Sequence, residues 1–291
     1  MPYDIAVIGS GPAGLSAAVN ARARGKSVLV VGNDYRESPL YRAERVDNYL
    51  GMPGRTGAGL MEDYRRHAEA MEVDLRTGRV LNIMQMDGTS YLSIGSDMET
   101  AKAVVLATGV TRGKKLPGEV RYLGRGVSYC ATCDGMLYRG RPVVVVDLAP
   151  DAAEEANFLQ GIGCQVTYVS AKRPEGLVPA IQWVRRTGGL EILGEDTVTA
   201  LRVGEAELPA QCVFLLRSAF PPADLLPDLA LEDGYITVDR RMRTNLPGVF
   251  AAGDCTGLPL QLAKAVGEGL VAGQSAAEYV DQHADSESEN H

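Results

Sequence analysis

An apolar strand, a glycine-spaced turn and an alanine-rich helix open the chain and constrain what it can become. Asp4-Ile5-Ala6-Val7-Ile8 runs into Gly9-Ser10-Gly11-Pro12-Ala13-Gly14 and then into a helix ending near Gly25. A second apolar strand follows at Ser27-Val28-Leu29-Val30-Val31. Strands apolar on both faces suit a parallel sheet covered by helices on both sides. The G-x-G-x-x-G spacing is weak by itself and gains meaning from lying between such a strand and a helix. Gly9 permits the tight turn, and Gly11 lets the backbone approach a pyrophosphate. Gly14 allows close helix–strand packing, and the helix N-terminus supplies aligned N–H donors. The plain alternative is an ordinary glycine-rich turn. The acidic residue that often ends the second strand is absent, with Gly32-Asn33-Asp34 in its place. Ribose recognition at that edge stays open.

The opening pattern recurs. Pro142-Val143-Val144-Val145-Val146 leads through a helix-like stretch, Asp151 to Leu159, to a strand at Gln165-Val166-Thr167-Tyr168-Val169. Repetition implies an α/β chain of two doubly wound, Rossmann-like domains. Length fits, since 291 residues suit two ordinary domains. Ala103–Leu106 reads as a buried strand ending in Ala107-Thr108-Gly109, and Gly248-Val249-Phe250-Ala251-Ala252 as another ending in Gly253-Asp254. Features after Thr244 belong with the first domain. Residues 1–113 and 244–291 are therefore expected to form one domain, with 114–243 inserted. The stretch from Asp281 to His291 carries four acids and no apolar anchor, and a frayed tail is expected there.

Composition excludes several classes. A net charge of −8 argues against a general nucleic-acid binder. No apolar run reaches the length of a bilayer span. A strand begins at Tyr3, where an export signal would carry an apolar core, so a cytoplasmic protein is expected. Five cysteines are too few and too unevenly spaced for a secreted disulfide scaffold. Cys130 and Cys133 form a tight pair, whereas Cys164, Cys212 and Cys255 stand apart. A C-x-x-C in such a chain is catalytic or metal-binding. Zinc would want two further ligands, and two of the three histidines, His283 and His291, fall in the tail. Two thiols three positions apart close a small ring with little backbone movement, which suits redox chemistry. A structural disulfide is the bland alternative.

The order of glycine turn, Thr-Gly and Gly-Asp resembles the two-dinucleotide-domain flavoproteins. In that family Thr-Gly marks the crossover to the second domain, and the Gly-Asp carboxylate holds the flavin's ribitol. Gly126-Val127-Ser128-Tyr129-Cys130-Ala131-Thr132-Cys133-Asp134-Gly135 narrows the resemblance to the low-molecular-weight thioredoxin reductases. The likeness extends through Val46-Asp47-Asn48-Tyr49-Leu50-Gly51, Gly234-Tyr235-Ile236, and Gln261 ahead of Gly267-Glu268-Gly269. It implies an enzyme, a flavin-dependent disulfide oxidoreductase with bound FAD, generally homodimeric. The FAD-binding residues it implies are Gly9, Ser10, Gly11, Pro12, Ala13, Gly14, Asn48, Val80, Thr108, Gly109, Gly253, Asp254, Gln261 and Leu262. It further implies that Cys133 takes electrons from the flavin and Cys130 attacks the disulfide of thioredoxin or a similar protein. Asp134 would move the proton. No histidine lies nearby in sequence, and Asp134 is the adjacent titratable side chain. Cys255, beside Asp254, reads as a small buried cysteine.

One site departs from the family. The second-domain strand should lead into a glycine-rich turn for NADPH, but Asp147-Leu148-Ala149-Pro150-Asp151 follows instead. The family pattern then resumes at Ala153-Glu154-Glu155-Ala156. Pro150 removes an N–H donor. A carboxylate at Asp147, ~6 Å from a phosphate at an effective dielectric of ~20, would repel it by roughly 3 kcal/mol, about a hundredfold in affinity. The His-Arg-Arg run that reads the 2′-phosphate is replaced by Ser170-Ala171-Lys172-Arg173, and the A-I-G-x-x-P strand end by Leu215-Leu216-Arg217-Ser218-Ala219-Phe220-Pro221. Loss of two motifs from one site points away from NADPH.

The chain also resembles the pyridine-nucleotide-independent branch of the family, the ferredoxin-dependent flavin thioredoxin reductases, so ferredoxin is the expected donor. A ferredoxin near roughly −400 mV lies ~130 mV below thioredoxin, about 6 kcal/mol for two electrons. Around the dithiol, Arg112, Lys114, Lys115, Arg121, Arg125, Arg139 and Arg141 outnumber Glu119 and Asp134, a basic stretch in an acidic chain. It suits an acidic carrier or, equally, a solvated surface. An NADPH-dependent enzyme with an atypical nucleotide site, and a non-catalytic flavin-binding sensor or scaffold, remain as alternatives.

Overall fold

The computed structural model describes residues 2–95, 97–110, 115–149, 152–217 and 222–288. The chain forms two compact units, residues 1–111 with 219–291, and residues 112–218.

Unit 1 opens with β1 (Tyr3–Ile8), α1 (Pro12–Arg22), β2 (Val28–Gly32), α2 (Gly57–Ala70) and β3 (Asp74–Thr77). Then come β4 (Val80–Met86), β5 (Thr89–Ile94) and β6 (Asp97–Leu106). β1 lies centrally, pairing in parallel with β2 through Ile5–Ile8 and with β6 through Ala103–Leu106. Its Ile5, Ala6 and Val7 are wholly buried, which is why the strand is apolar without alternation. β3 extends the parallel ladder, while β4 and β5 form an antiparallel meander with β6.

Unit 2 contains α3 (Glu119–Tyr122), β7 (Val127–Ser128), α4 (Ala131–Asp134), β8 (Pro142–Leu148), α5 (Ala152–Gly161), β9 (Gln165–Ser170) and β10 (Gln182–Arg185). β11 (Leu190–Gly194), β12 (Val198–Val203), β13 (Ala206–Pro209) and β14 (Cys212–Arg217) complete it. The main sheet runs β10-β9-β8-β14-β7, all parallel. Alternate residues of β8 serve opposite layers. Val143 and Val145 pack with Ala152, Ala156 and Leu159 of α5. Val144 and Val146 pack with Ile192, Leu201 and Val203 of the antiparallel β11-β12-β13 sheet.

The chain then returns to unit 1 through α6 (Pro222–Leu225), β15 (Leu231–Glu232), β16 (Tyr235–Ile236), β17 (Val249–Ala251) and α7 (Leu262–Ser288). This return precedes the expected boundary at residue 244. α6 packs on β4, and Asn245 fastens the segment by accepting the Ala230 N–H and donating to the Asp228 carbonyl, both at 2.8 Å. The expectation of a frayed tail from Asp281 is also corrected. α7 continues to Ser288, with Val280 buried and Asp281 paired with Lys26. Residues 289–291 of that tail, and Arg112, Lys114, Pro150, Asp151 and Ser218–Pro221 named above, lie outside the described residues. No helix of the described residues is long and apolar enough to cross a membrane.

In unit 1, α7 packs flush against α1. A Cβ on Gly269 would lie 2.2 Å from the Ala13 carbonyl oxygen, and one on Gly273 2.2 Å from that of Ala17. Two glycines four apart let the backbones meet, with Ala272, Ala276 and Ala277 buried alongside. Gly273→Val is expected to force the helices apart at a cost of about 3 kcal/mol. A lowering of the melting temperature by roughly 6–12 °C in a calorimetric scan checks it.

Candidate active site

The parallel strands of unit 1 share a carboxyl edge, and the turns leaving it converge. Gly9 ends β1 with φ +121, and any Cβ there would lie 2.1 Å from the Ala107 carbonyl oxygen. Gly14 is equally confined, 1.9 Å from the Gly9 carbonyl oxygen, whereas nothing lies within 4 Å of the position a Cβ would take on Gly11. Gly11 caps α1 without a side-chain bond, Pro12 occupies the first turn, and no acid lies there. The helix therefore presents uncompensated N–H groups beside an open glycine, a fit for a pyrophosphate. Ser10 donates to the Asn33 carbonyl at 3.0 Å. A Cβ on Gly32 would lie 2.5 Å from Ser10 Oγ, which explains why no acidic side chain ends β2. Ser10, Asn33, Tyr35, Arg65 and Thr77 instead line a cavity there. The Arg65 guanidinium lies 5.1 Å from the Tyr35 ring centre. Val80 is buried where β4 begins, just beyond Gly78, whose N–H bonds the Gly32 carbonyl at 2.9 Å.

Four further expected residues lie on the same edge. Thr108 Oγ1 is buried beside the Cys255 thiol, and Gly109 has φ +68. Gly253, at φ +87, leads into Asp254, which is half-buried. A pair that sequence reasoning missed clamps Gly253. Lys264 Nζ donates to its carbonyl at 2.8 Å, Glu268 accepts its N–H at 2.9 Å, and the two side chains meet at 3.0 Å. Their i,i+4 spacing on α7 was the available signal. Asn48 donates to Gln261 Oε1 at 2.8 Å, which joins a loop before α2 to the residue preceding α7. Leu262 is the first residue of α7 and half-buried.

Unit 2 carries the dithiol. β7 pairs with β14 and delivers the chain to Cys130, whose sulfur is the N-cap of α4 and accepts the Cys133 N–H at 3.1 Å. Cys130 and Cys133 are joined in a disulfide, with Cys133 exposed and Cys130 half-buried. Four residues make a marginal helix, and its neighbours hold it. Glu155 of α5 accepts the Ala131 N–H at 3.2 Å, and a Cβ on Gly135 would lie 2.7 Å from Leu159. Asp134 accepts a 2.7 Å hydrogen bond from Ser128. Sequence reasoning gave Ser128 and Glu155 no role, because nothing in residue spacing reveals which side chains face α4. Burial pushes the thiols of Cys164, Cys212 and Cys255 up, that of Cys255 to about 11, so these three stay protonated and inert at neutral pH.

The corresponding turn of unit 2 differs from the glycine cradle. β8 ends in Asp147 and Leu148, and Ala149 is buried. Asp147 continues the Val143–Val145 alternation onto the α5 face. Burial pushes its carboxyl up, and a hydrogen bond from Tyr168 opposes that shift. At the end of β9, Ser170 accepts from Trp183 Nε1 at 2.9 Å and donates to the Lys172 carbonyl at 2.6 Å. Lys172 and Arg173 are exposed.

Comparison with known proteins agrees with this geometry. Residues 3–269 match the family model for pyridine nucleotide-disulphide oxidoreductases. A thioredoxin reductase from Treponema pallidum is 32% identical, over 96% of this chain and 97% of that one. Two crystal structures of a ferredoxin-flavin thioredoxin reductase from Clostridium acetobutylicum also match. One is 37% identical with a TM-score of 0.89, covering 98% of this chain and 99% of that one. The other is 44% identical with a TM-score of 0.87, covering 95% and 97%. The chain thus belongs to the pyridine nucleotide-disulphide oxidoreductase family, as a flavoprotein of the thioredoxin reductase type.

Proposed function

We propose that this chain reduces thioredoxin or a similar protein disulfide through FAD and the Cys130–Cys133 pair, and that a ferredoxin supplies its electrons in place of NADPH. The turn after β8 is the observation that carries the choice of donor. In unit 1 a pyrophosphate would meet open backbone at Gly11 and an uncompensated helix end. In unit 2 the described part of the turn, Asp147–Ala149, offers a half-buried carboxyl and no glycine. The Ser170 hydroxyl at the end of β9 is already committed to Trp183 and Lys172. A dinucleotide there would lose phosphate ligation and face a carboxylate.

The residues fit FAD in unit 1. Gly9–Gly14 would take its pyrophosphate, and Asp254 its ribitol, with Gly253 fixed by Lys264 and Glu268. Asn48, Gln261, Thr108 and Gly109 would border the remainder, with Val80 at the β2 end. FAD supplies the step that a ferredoxin and a disulfide cannot take together, collecting electrons singly and releasing them in pairs. In unit 2, Cys130 is the sulfur held by an N–H donor, which favours its thiolate once the pair is reduced. It attacks the acceptor disulfide, Cys133 displaces the acceptor from the mixed disulfide, and Asp134 gives a proton to the departing thiolate. Lys115, Arg121, Arg125, Arg139 and Arg141 suit the approach of an acidic carrier. A cytoplasmic homodimer completes the proposal, on the family resemblance alone.

Anaerobic titration of the bound FAD spectrum tests the donor. Reduced ferredoxin should bleach the flavin absorbance within the mixing time, and NADPH in excess should leave it unchanged; the reverse pattern sinks the proposal. Cys130→Ser and Cys133→Ser should each abolish reduction of oxidised thioredoxin while retaining FAD, measured by turnover and by flavin content. Lys264→Met should weaken FAD retention roughly tenfold by removing the cation that ties Glu268 to the Gly253 carbonyl, read by fluorescence as flavin is released.

A further inference from the structure

We propose that Ser128 is the positioning residue for proton transfer at the dithiol, its hydroxyl turning between two acceptors as Asp134 gains and loses its proton. The inference rests on the reading of Cys130–Cys133 as the redox pair and adds a residue to it. Ser128 is buried, with 4% of its surface exposed, at the end of β7. Three polar groups surround its Oγ. The Cys130 N–H donates to it at 3.1 Å, Asp134 Oδ2 lies at 2.7 Å, and the Cys130 carbonyl oxygen lies at 3.2 Å.

A hydroxyl has one proton and two lone pairs. The Cys130 N–H takes one lone pair, which leaves one proton and one lone pair for two neighbours. Against a carboxylate, the proton goes to Asp134 Oδ2. Against a carboxylic acid, the second lone pair accepts the Asp134 proton, and the hydroxyl turns to donate to the Cys130 carbonyl. Both states satisfy every group, so Asp134 changes protonation without leaving a buried polar atom bare. The same hydroxyl ties Asp134 to the backbone of Cys130, so proton donor and attacking sulfur keep their relative placement.

The step served is balanced. Cys130 thiolate forms a bond to one sulfur of the acceptor disulfide and breaks the acceptor S–S bond, and the leaving thiolate receives the Asp134 proton. Cys133 then attacks Cys130, its thiol proton passing to the Asp134 carboxylate, which releases the second thiolate and restores the Cys130–Cys133 bond, so the dithiol is oxidised and the acceptor is reduced by two electrons.

Whole protein carrying FAD, reduced with dithiothreitol, freed of reductant and mixed with oxidised thioredoxin, tests the idea without any electron donor. Thiol release is followed across pH. Ser128→Ala should slow the reaction about tenfold and change the shape of its pH profile, because the proton donor has lost its partner. Ser128→Thr, which keeps the hydroxyl at a strand position, should retain the wild-type profile. In an Asp134→Asn background, Ser128→Ala should add no further change. Flavin content and thiol count before reduction establish that each variant is folded. A Ser128→Ala profile lowered equally at every pH, or an effect that persists fully beside Asp134→Asn, overturns the proposal while leaving the dithiol reading intact. A wild-type protein that releases no thiols at any pH overturns that reading and the proposal with it.

Discussion

Backbone lying directly against backbone is the constraint on which unit 1 depends. Gly9 abuts the Ala107 carbonyl, Gly14 abuts Gly9, and Gly269 and Gly273 abut Ala13 and Ala17. Gly253 completes the set, since a Cβ there would lie 2.7 Å from the Ala13 Cβ. The contacts of Gly14, Gly253, Gly269 and Gly273 all involve α1. The cradle that begins α1 and the Gly253-Asp254 turn are therefore placed by a single helix, not by two loops that must find one another. Lys264 and Glu268 reach Gly253 only because α7 lies flush on α1, so the clamp depends on the same glycines. Precision at a cofactor edge comes here from rigid elements packed without intervening side chains.

Unit 2 repeats the strand–turn–helix plan with no glycine in the described part of its turn. Its central strand is as apolar as that of unit 1, and its sheet is parallel throughout. The difference lies in a few residues after β8. A glycine turn lowers the steric barrier to an incoming pyrophosphate and leaves N–H groups facing it, whereas a side chain at each position does neither. The fold survives such a change because the core layers rest on Val143–Val146 and Phe214–Leu216, away from the turn.

Much of this was legible in the chain itself, for physical reasons particular to each element. β1, β2 and β8 announce themselves because burial on both faces removes polar alternation, and the glycines at 9 and 14 because their contacts exclude a side chain, while Gly11 stands open. The expected cofactor edge comes together at Gly9, Thr108 and Gly253, and Asn48 meets Gln261 although 213 positions separate them. The second boundary of the insert was less visible. Residues 222–243 contain only short elements, and their attachment to unit 1 runs through Asn245 and the α6–β4 contact, neither of which has a local pattern. The tail was misjudged because acidity suggested fraying, whereas Lys26 and the buried face ending at Val280 continue the helix. Glu155 and Ser128 were invisible for a different reason, since their roles depend on what packs against a four-residue helix.

That helix also ties the dithiol to α5. α4 cannot hold its own shape, being one turn long. The wall behind it is α5, through Glu155 on the Ala131 N–H and Leu159 against Gly135. Gly135 is confined because a side chain there would press into that wall and tilt the turn bearing Cys133 and Asp134. A nucleotide site and a dithiol site thus share α5 but use opposite demands on it: the first needs its free N–H groups, and the second its side chains one to two turns further on. Selection on the dithiol can hold the helix in place while the turn before it changes freely. A turn without the glycine cradle ahead of Ala153-Glu154-Glu155-Ala156 is what two separable demands on one helix would leave behind.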